Sequence, residues 1–137
     1  MPKEEAQVEE VKDDRRGTLE VEVVEAKLER STETFGKQDP FAEISIRMQK
    51  FKTKTHTDGA KAPVWNETMT MDVLDPTEAM AVQVFDEDLT SNDLICEGTV
   101  SLSKVCQDSP VDDWFELYFG GKPSGSIHLR TKFTART

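Results

Sequence analysis

The chain has 137 residues, enough to bury one core and form one domain. Its 17 Lys and Arg stand against 27 Asp and Glu, and the resulting formal charge of -10 opposes nucleic-acid binding and, at rest, contact with anionic lipid. No apolar run approaches the roughly 18 residues of a membrane span, the charged N-terminal residues do not read as a signal sequence, Pro2 stands where myristoylation needs glycine, and Thr137 is not a prenylated cysteine. The expected location is therefore cytoplasmic, and any membrane contact must be reversible and peripheral. Cys96 and Cys106 are expected to be reduced, with no disulfide and no zinc spacing.

Residues 1–16 are almost all charged or polar and are expected to form a mobile tail. From Thr18 the alternation of Leu19, Val21 and Val23 against Glu20 and Glu22 predicts a strand with one wet face. The same period recurs at Phe41–Met48, Met69–Val73, Met80–Val84, Val100–Leu102, Phe115–Phe119 and Ile127–Phe133. A further strand is predicted over Gln49–Thr57, with Lys50, Lys52 and Lys54 on one face. Turn signals separate the runs at Asp58-Gly59, Asp75-Pro76, Gly120-Gly121 and Pro123-Ser124-Gly125. Pro76–Ala81 has room for at most one helical turn. About eight short strands so punctuated predict an all-β, antiparallel Greek-key β-sandwich. The expected organisation is a domain over 17–134 with a short tail at 135–137.

Between the apolar runs, Val84–Ile95 crowds carboxylates at Asp86, Asp88 and Asp93. Like charges held together call for a cation, and calcium, which takes many oxygen ligands in flexible geometry, suits them. Side-chain parity places Asp86 and Asp88 at the end of the inward row Met80, Val82, Val84. A second acidic corner spans Glu33 to Phe41, where Pro40 biases Asp39 toward an extended conformation. Were the two loops to meet at one end of the sandwich, five carboxylates would converge.

Four motifs, in order and spacing, resemble the C2 domain, a calcium-dependent phospholipid-binding module: Gly17-Thr18-Leu19-Glu20-Val21, Asp39-Pro40-Phe41, Pro63-Val64-Trp65-Asn66-Glu67 and Val84-Phe85-Asp86-Glu87-Asp88. The resemblance covers Gly17 to about Thr134, and the single strand before the first loop, with Gly125–Leu129 in the last strand, resembles the phospholipase-like, type II order. It implies an eight-stranded antiparallel sandwich. It also implies calcium ligation by Asp39, Asp86, Asp88 and Asp93, with the backbone carbonyl of Glu87, and places Glu33 where the family usually has aspartate. Two further departures are the five-residue step from Asp88 to Asp93, where six is common, and Cys96 in place of glycine. The implied function is calcium-bridged binding to anionic phospholipid membranes as a targeting or adaptor module. Phe35 and Leu89 would insert at the loop tips, each contributing roughly 1.5 to 3 kcal/mol if buried. Lys50, Lys52 and Lys54 would meet phosphoinositide.

Other readings accompany these. The same fold could serve as a calcium-independent protein-interaction or scaffolding domain, with a protein partner on the lysine face, a sheet edge or the tail. A hydrolase using Asp86 and Asp93 is disfavoured because no nucleophile–base motif accompanies them, so no enzyme activity is expected. An EF-hand over Asp86–Glu97 fails at Ser91, where glycine is needed, and lacks flanking helices. Trp65 reads as packing, Asn66 as a side-chain tie for a turn, His56 and His128 as outward-facing residues without a catalytic or metal role, and Cys96 as inert. The expected state is a monomer, and Met1 favours a chain complete as it stands.

Overall fold

The computed structural model describes residues 16–33 and 36–136. Eight antiparallel strands follow in chain order: β1 (Gly17–Leu28), β2 (Pro40–Ile46), β3 (Gln49–Lys52), β4 (Val64–Val73), β5 (Ala79–Asp86), β6 (Asp93–Ser101), β7 (Val111–Phe119) and β8 (Lys122–Ala135). One short helix, α1 (Leu102–Val105), joins β6 to β7. The strand order is β3-β2-β5-β6-β7-β8-β1-β4. β6 and β7 share a single pairing, Glu97 with Tyr118, so the strands part there into two four-stranded layers. Their inner faces, including Ile44, Val82, Val84 and Ile95 from one layer and Leu19, Val21, Ile127 and Leu129 from the other, form one buried core. The tail expected over 1–16 falls, but for Arg16, outside the described residues.

Alternation explains β1 until Val23 and Val24, which are both buried. The pairing register shifts there, and the inward phase passes from Leu19, Val21 and Val23 to Val24, Ala26 and Leu28. A bulge of this kind bends the strand and redirects its end toward the loop that follows. On the facing strand Asn66 sits inside β4 with φ 51°. The expected side-chain tie at Asn66 is thus replaced by a backbone role, since Asn tolerates the left-handed conformation better than most residues.

Three other elements differ from expectation. The strand expected over Gln49–Thr57 stops at Lys52, leaving Lys54 beyond it, because Thr53 turns inward. Its hydroxyl accepts the Ala42 N–H at 3.0 Å and donates to the Lys54 carbonyl at 2.9 Å, taking over bonds that a regular ladder would make. Residues 76–78 form a turn closed by the Glu78 N–H on the Asp75 carbonyl, within the at most one turn of helix expected there, whereas Leu102, expected to end a strand, opens a helix over Leu102–Val105 whose two apolar ends are buried. Finally, β6 begins at Asp93 because Asp93 pairs with Asp86 across the ladder, which shortens the acidic loop to residues 87–92.

On the outer face of the β7-β8-β1 layer, residues far apart in sequence converge on His128. Its ring nitrogens lie 3.2 Å from Glu25 Oε2 and 2.5 Å from Asp112 Oδ1, and its ring stacks on Trp114 at 5.0 Å. The hydrogen bond to Asp112 raises the His128 pKa, burial opposes it, and Glu25 adds to the rise. A histidine raised in the folded state contributes stability that is full below its unfolded value, about 6.5, and lost as pH climbs through the folded value. The melting-temperature gap between the wild type and a His128→Gln variant should therefore narrow from about pH 6 to about pH 8. Thermal melts across that window check it, and a gap independent of pH would contradict it.

Candidate functional site at the acidic rim

β5 carries the inward row Met80, Val82 and Val84, each fully buried, and parity extends it to Asp86, also 0% exposed. A buried carboxylate requires donors. Asp86 Oδ1 accepts the Asp39 N–H at 2.8 Å, and Oδ2 accepts the Thr32 hydroxyl at 2.6 Å. Pro40 stands opposite Asp86 in the β2–β5 register, which brings Asp39 to this position, and the Glu87 N–H returns a bond to the Asp39 carbonyl at 2.9 Å. The 29–39 and 87–92 loops therefore meet at one end of the sandwich.

Glu33 approaches the same carboxylate. Its pKa is pushed up to about 7, first by a hydrogen bond with Asp86, then by the Asp86 charge, burial, and the charges of Asp88 and Asp39. For Asp86 the largest influence is burial, which raises the pKa, but hydrogen bonds from Glu33, Thr32 and the Asp39 N–H outweigh it and hold the carboxyl below its ordinary value. Glu33 therefore takes up a proton more readily than an ordinary glutamate, as expected of like charges in contact.

The remaining acids are arranged more loosely. Asp39 Oδ1 accepts the Asp58 N–H at 2.7 Å, joining the 53–63 loop to the rim, and Thr55 donates its hydroxyl to the Glu87 carboxylate. Asp88 is exposed, its N–H lying 3.4 Å from Asn92 Oδ1, and Leu89 at the tip is fully exposed. Asp93 is exposed at the start of β6, beside Arg30, Ser31, Thr32, Leu94 and Phe119. Among the described residues no three His, Cys, Asp or Glu side chains stand gathered to hold a metal ion. The rim is a hydrogen-bonded acidic cluster with outlying carboxylates, and the expected site at Phe35 lies outside the described residues.

Gln38, 1% exposed, organises the rim and was missed in the sequence. Its Oε1 accepts the Thr32 N–H at 3.1 Å, and its Nε2 donates to the carbonyls of Arg30 at 3.0 Å and Ala60 at 2.8 Å. An amide that satisfies backbone groups of two loops leaves no periodic signal; the only trace was an uncharged polar residue next to Asp39-Pro40. Trp65 packs as expected, with Nε1 donating to the Pro40 carbonyl at 3.1 Å beneath the site. His56 accepts the Val64 N–H through Nδ1 at 2.9 Å, a structural role in the adjacent loop.

The lysines are on or just past the edge strand β3. Lys50 lies 3.9 Å from Glu43, Lys52 sits 4.9 Å from the Phe41 ring centroid, and the Lys54 N–H is held by Glu67 at 2.8 Å. Lys50, Lys52 and Lys54 are all exposed. Cys96 and Cys106 are buried, and burial pushes the Cys96 thiol up to about 12, leaving it protonated. Among the described residues no helix is long and apolar enough to cross a membrane.

The molecule is thus a two-layer antiparallel β-sandwich whose acidic loops are tied together at one end. The chain belongs to the C2 domain family, whose model matches residues 17–117. It is 36% identical to extended synaptotagmin-3 of Xenopus tropicalis over 99 residues, covering 72% of this chain and 11% of that protein. It is 32% identical to synaptotagmin-4 of Arabidopsis thaliana over 123 residues, covering 88% of this chain and 21% of the relative. The chain therefore spans a small part of these relatives. A C2 domain of plant extended synaptotagmin 1, the one lettered A, superposes with a TM-score of 0.80 over 90% of this chain and 98% of that one, at 22% identity, a likeness of fold. The calcium-bound pair of C2 domains, A and B, of extended synaptotagmin 2 gives a TM-score of 0.77 at 26% identity, over 88% of this chain and 46% of that one.

Proposed function

We propose that this domain binds calcium at the rim between the 29–39 and 87–92 loops and thereby attaches to anionic phospholipid membranes, as a peripheral targeting or adaptor module. The observation that carries this reading is the junction at Asp86, where a buried carboxylate holds the Asp39 N–H and faces Glu33. Oxygen donors crowded against mutual repulsion fit a hard divalent cation. Asp39, Asp86, Asp88 and Asp93 would hold the ion, with the Glu87 carbonyl and Glu33 completing the set. Bound there, calcium would supply positive charge and open coordination positions for lipid phosphate or carboxylate oxygens.

The chain's own residues do the rest. Gln38 and Thr32 fix the loop that presents Asp39 and Glu33, while Leu89 offers an exposed apolar side chain at the neighbouring tip. Lys50, Lys52 and Lys54 provide exposed cations for phosphoinositide or other anionic head groups. Calorimetry with calcium, followed by vesicle co-sedimentation with calcium or chelator and with neutral or anionic lipid, tests the reading. Calcium heat and calcium-dependent pelleting only with anionic vesicles are expected. An absence of both at millimolar calcium would overturn it.

One observation favours a second reading, a protein-interaction or scaffolding domain that works without calcium. Both Asp86 oxygens already have protein donors, so the rim is knit together by its own hydrogen bonds. Amide shifts on calcium addition decide between the two: shifts confined to residues around 33–39 and 86–93 support the metal reading, and none supports the scaffold.

A further inference from the structure

We propose that the groove between Arg30 and Phe119 is an oxyanion site that takes the phosphate or carboxylate of a phospholipid head group. This deepens the reading above, because the groove adjoins the acidic rim and its lipid would be the same one. The Arg30 guanidinium carbon lies 3.6 Å from the Phe119 ring centroid, so the cation is held flat against an aromatic face. Phe119 is brought to this end by the β7–β8 hairpin, whose turn residues Gly120 and Gly121 adopt φ of 60° and 80°. Arg30 follows the end of β1, where Leu28 pairs with Gly125 of the same hairpin.

What singles out Arg30 is its unspent donor capacity. Its Nε is buried with no hydrogen-bond partner. Its NH2 nitrogen reaches the Leu94 carbonyl only at 3.5 Å, the outer limit of a hydrogen bond. Two arginines elsewhere show the contrast: Arg47 grips Glu78 through two bonds of 2.7 and 2.6 Å, and Arg130 holds Asp112 at 3.1 Å. Among the described residues no carboxylate lies in ion-pair range of Arg30, although the chain carries a charge of -10. A buried polar atom without a partner is rare enough to need a reason, and a planar guanidinium matches phosphate and carboxylate in a two-pronged fashion.

The surrounding groove supports the assignment. It has a volume of about 520 Å³ and is lined by Arg30, Ser31, Thr32, Asp93, Leu94 and Phe119; the Thr32 hydroxyl is spent on Asp86, while the Ser31 hydroxyl, which only accepts from the Glu33 N–H, keeps a proton to donate beside the cation. Asp93 on the same wall opposes an anion while it bears its charge. An ion held by Asp93 would remove that opposition, so the head group and calcium should bind synergistically.

Two measurements on the full chain test the site. In the first, the Arg30 Nε–H resonance is followed by NMR without calcium as inorganic phosphate, then a soluble short-chain phosphatidylserine, is added; a shift accompanied by the Thr32 and Leu94 amides is expected. In the second, Arg30→Gln is compared with wild type for calcium heat without lipid and for binding to vesicles of phosphatidylcholine with phosphatidylserine. Calcium heat should be unchanged while vesicle affinity falls about tenfold, the scale of a charge-assisted hydrogen bond. Arg30→Lys, which keeps the charge but not the planar fork, should recover only part of the loss, and matching thermal melts would show that the variants fold. Vesicle binding equal to wild type, with a phosphate-induced Nε–H shift, would overturn the lipid assignment in favour of free phosphate. No shift and no loss would overturn the site altogether while leaving calcium binding intact. Should wild type bind neither calcium nor vesicles, the functional reading fails, and the phosphate titration still decides whether the groove takes an oxyanion.

Discussion

Replacing Asp86 with asparagine should abolish the calcium response while leaving a folded domain. Asn keeps an oxygen to accept the Asp39 N–H, and the Thr32 hydroxyl can turn to accept from the new amide. The lost charge assistance costs about 1–2 kcal/mol, partly offset by removing the repulsion that Glu33 meets. The metal-free melting temperature should therefore fall by no more than a few degrees. The wild type behaves differently with calcium present: a ligand at 100 times its dissociation constant adds about 2.7 kcal/mol, or roughly 10 °C for a domain of this size. In Asp86→Asn that rise should vanish, together with the calorimetric heat. A full calcium rise in the variant would remove Asp86 from the ligand set, and no rise in wild type would remove calcium.

The singular position of Asp86 was legible because strand parity persists to the last residue of β5, and a carboxylate in phase with Met80, Val82 and Val84 must enter the interior. Asp88, two residues further, was assigned by the same parity and is instead exposed, because the strand ends at Asp86 and parity has no meaning in a loop. Asp93 looked like a loop residue. Its place at the start of β6 depends on pairing with Asp86, a contact between residues that local pattern does not reveal.

Most of the sandwich was equally legible, since β1, β5 and β8 bury every second side chain over long stretches. The failures have a common physical origin. At Thr53 and Gln38 a side chain replaces a backbone group as hydrogen-bond partner, and at Asn66 a left-handed backbone interrupts a strand. None of these alters hydrophobic periodicity. At α1 four residues are too few for a helical period to show, and Leu102 reads as the end of the Val100–Leu102 strand. The rim is thus where the sequence is least regular, because its backbone groups are satisfied by side chains from neighbouring loops.

The other large effect is expected in the layer that supports this rim. Ile127 is fully buried in β8, opposite Phe115 of β7 and Ala26 of β1. Truncation to alanine removes three carbons and leaves a cavity that a strand bonded on both sides cannot collapse around. Ile127→Ala should therefore lower unfolding free energy by about 2–5 kcal/mol, and Ile127→Val by about 0.5–1.5 kcal/mol. Urea titration measures both, and a loss below about 1 kcal/mol for the alanine variant would show that the core relaxes around the site. The same experiment with calcium separates core from rim. Ile127 lies among apolar side chains, whereas the acids are fixed by Gln38, Thr32 and the ends of β2 and β5. The free-energy increment from calcium should consequently be the same in Ile127→Ala as in wild type, since sites without shared partners add. A smaller increment in the variant would mean that β8 packing governs the geometry of the acidic rim.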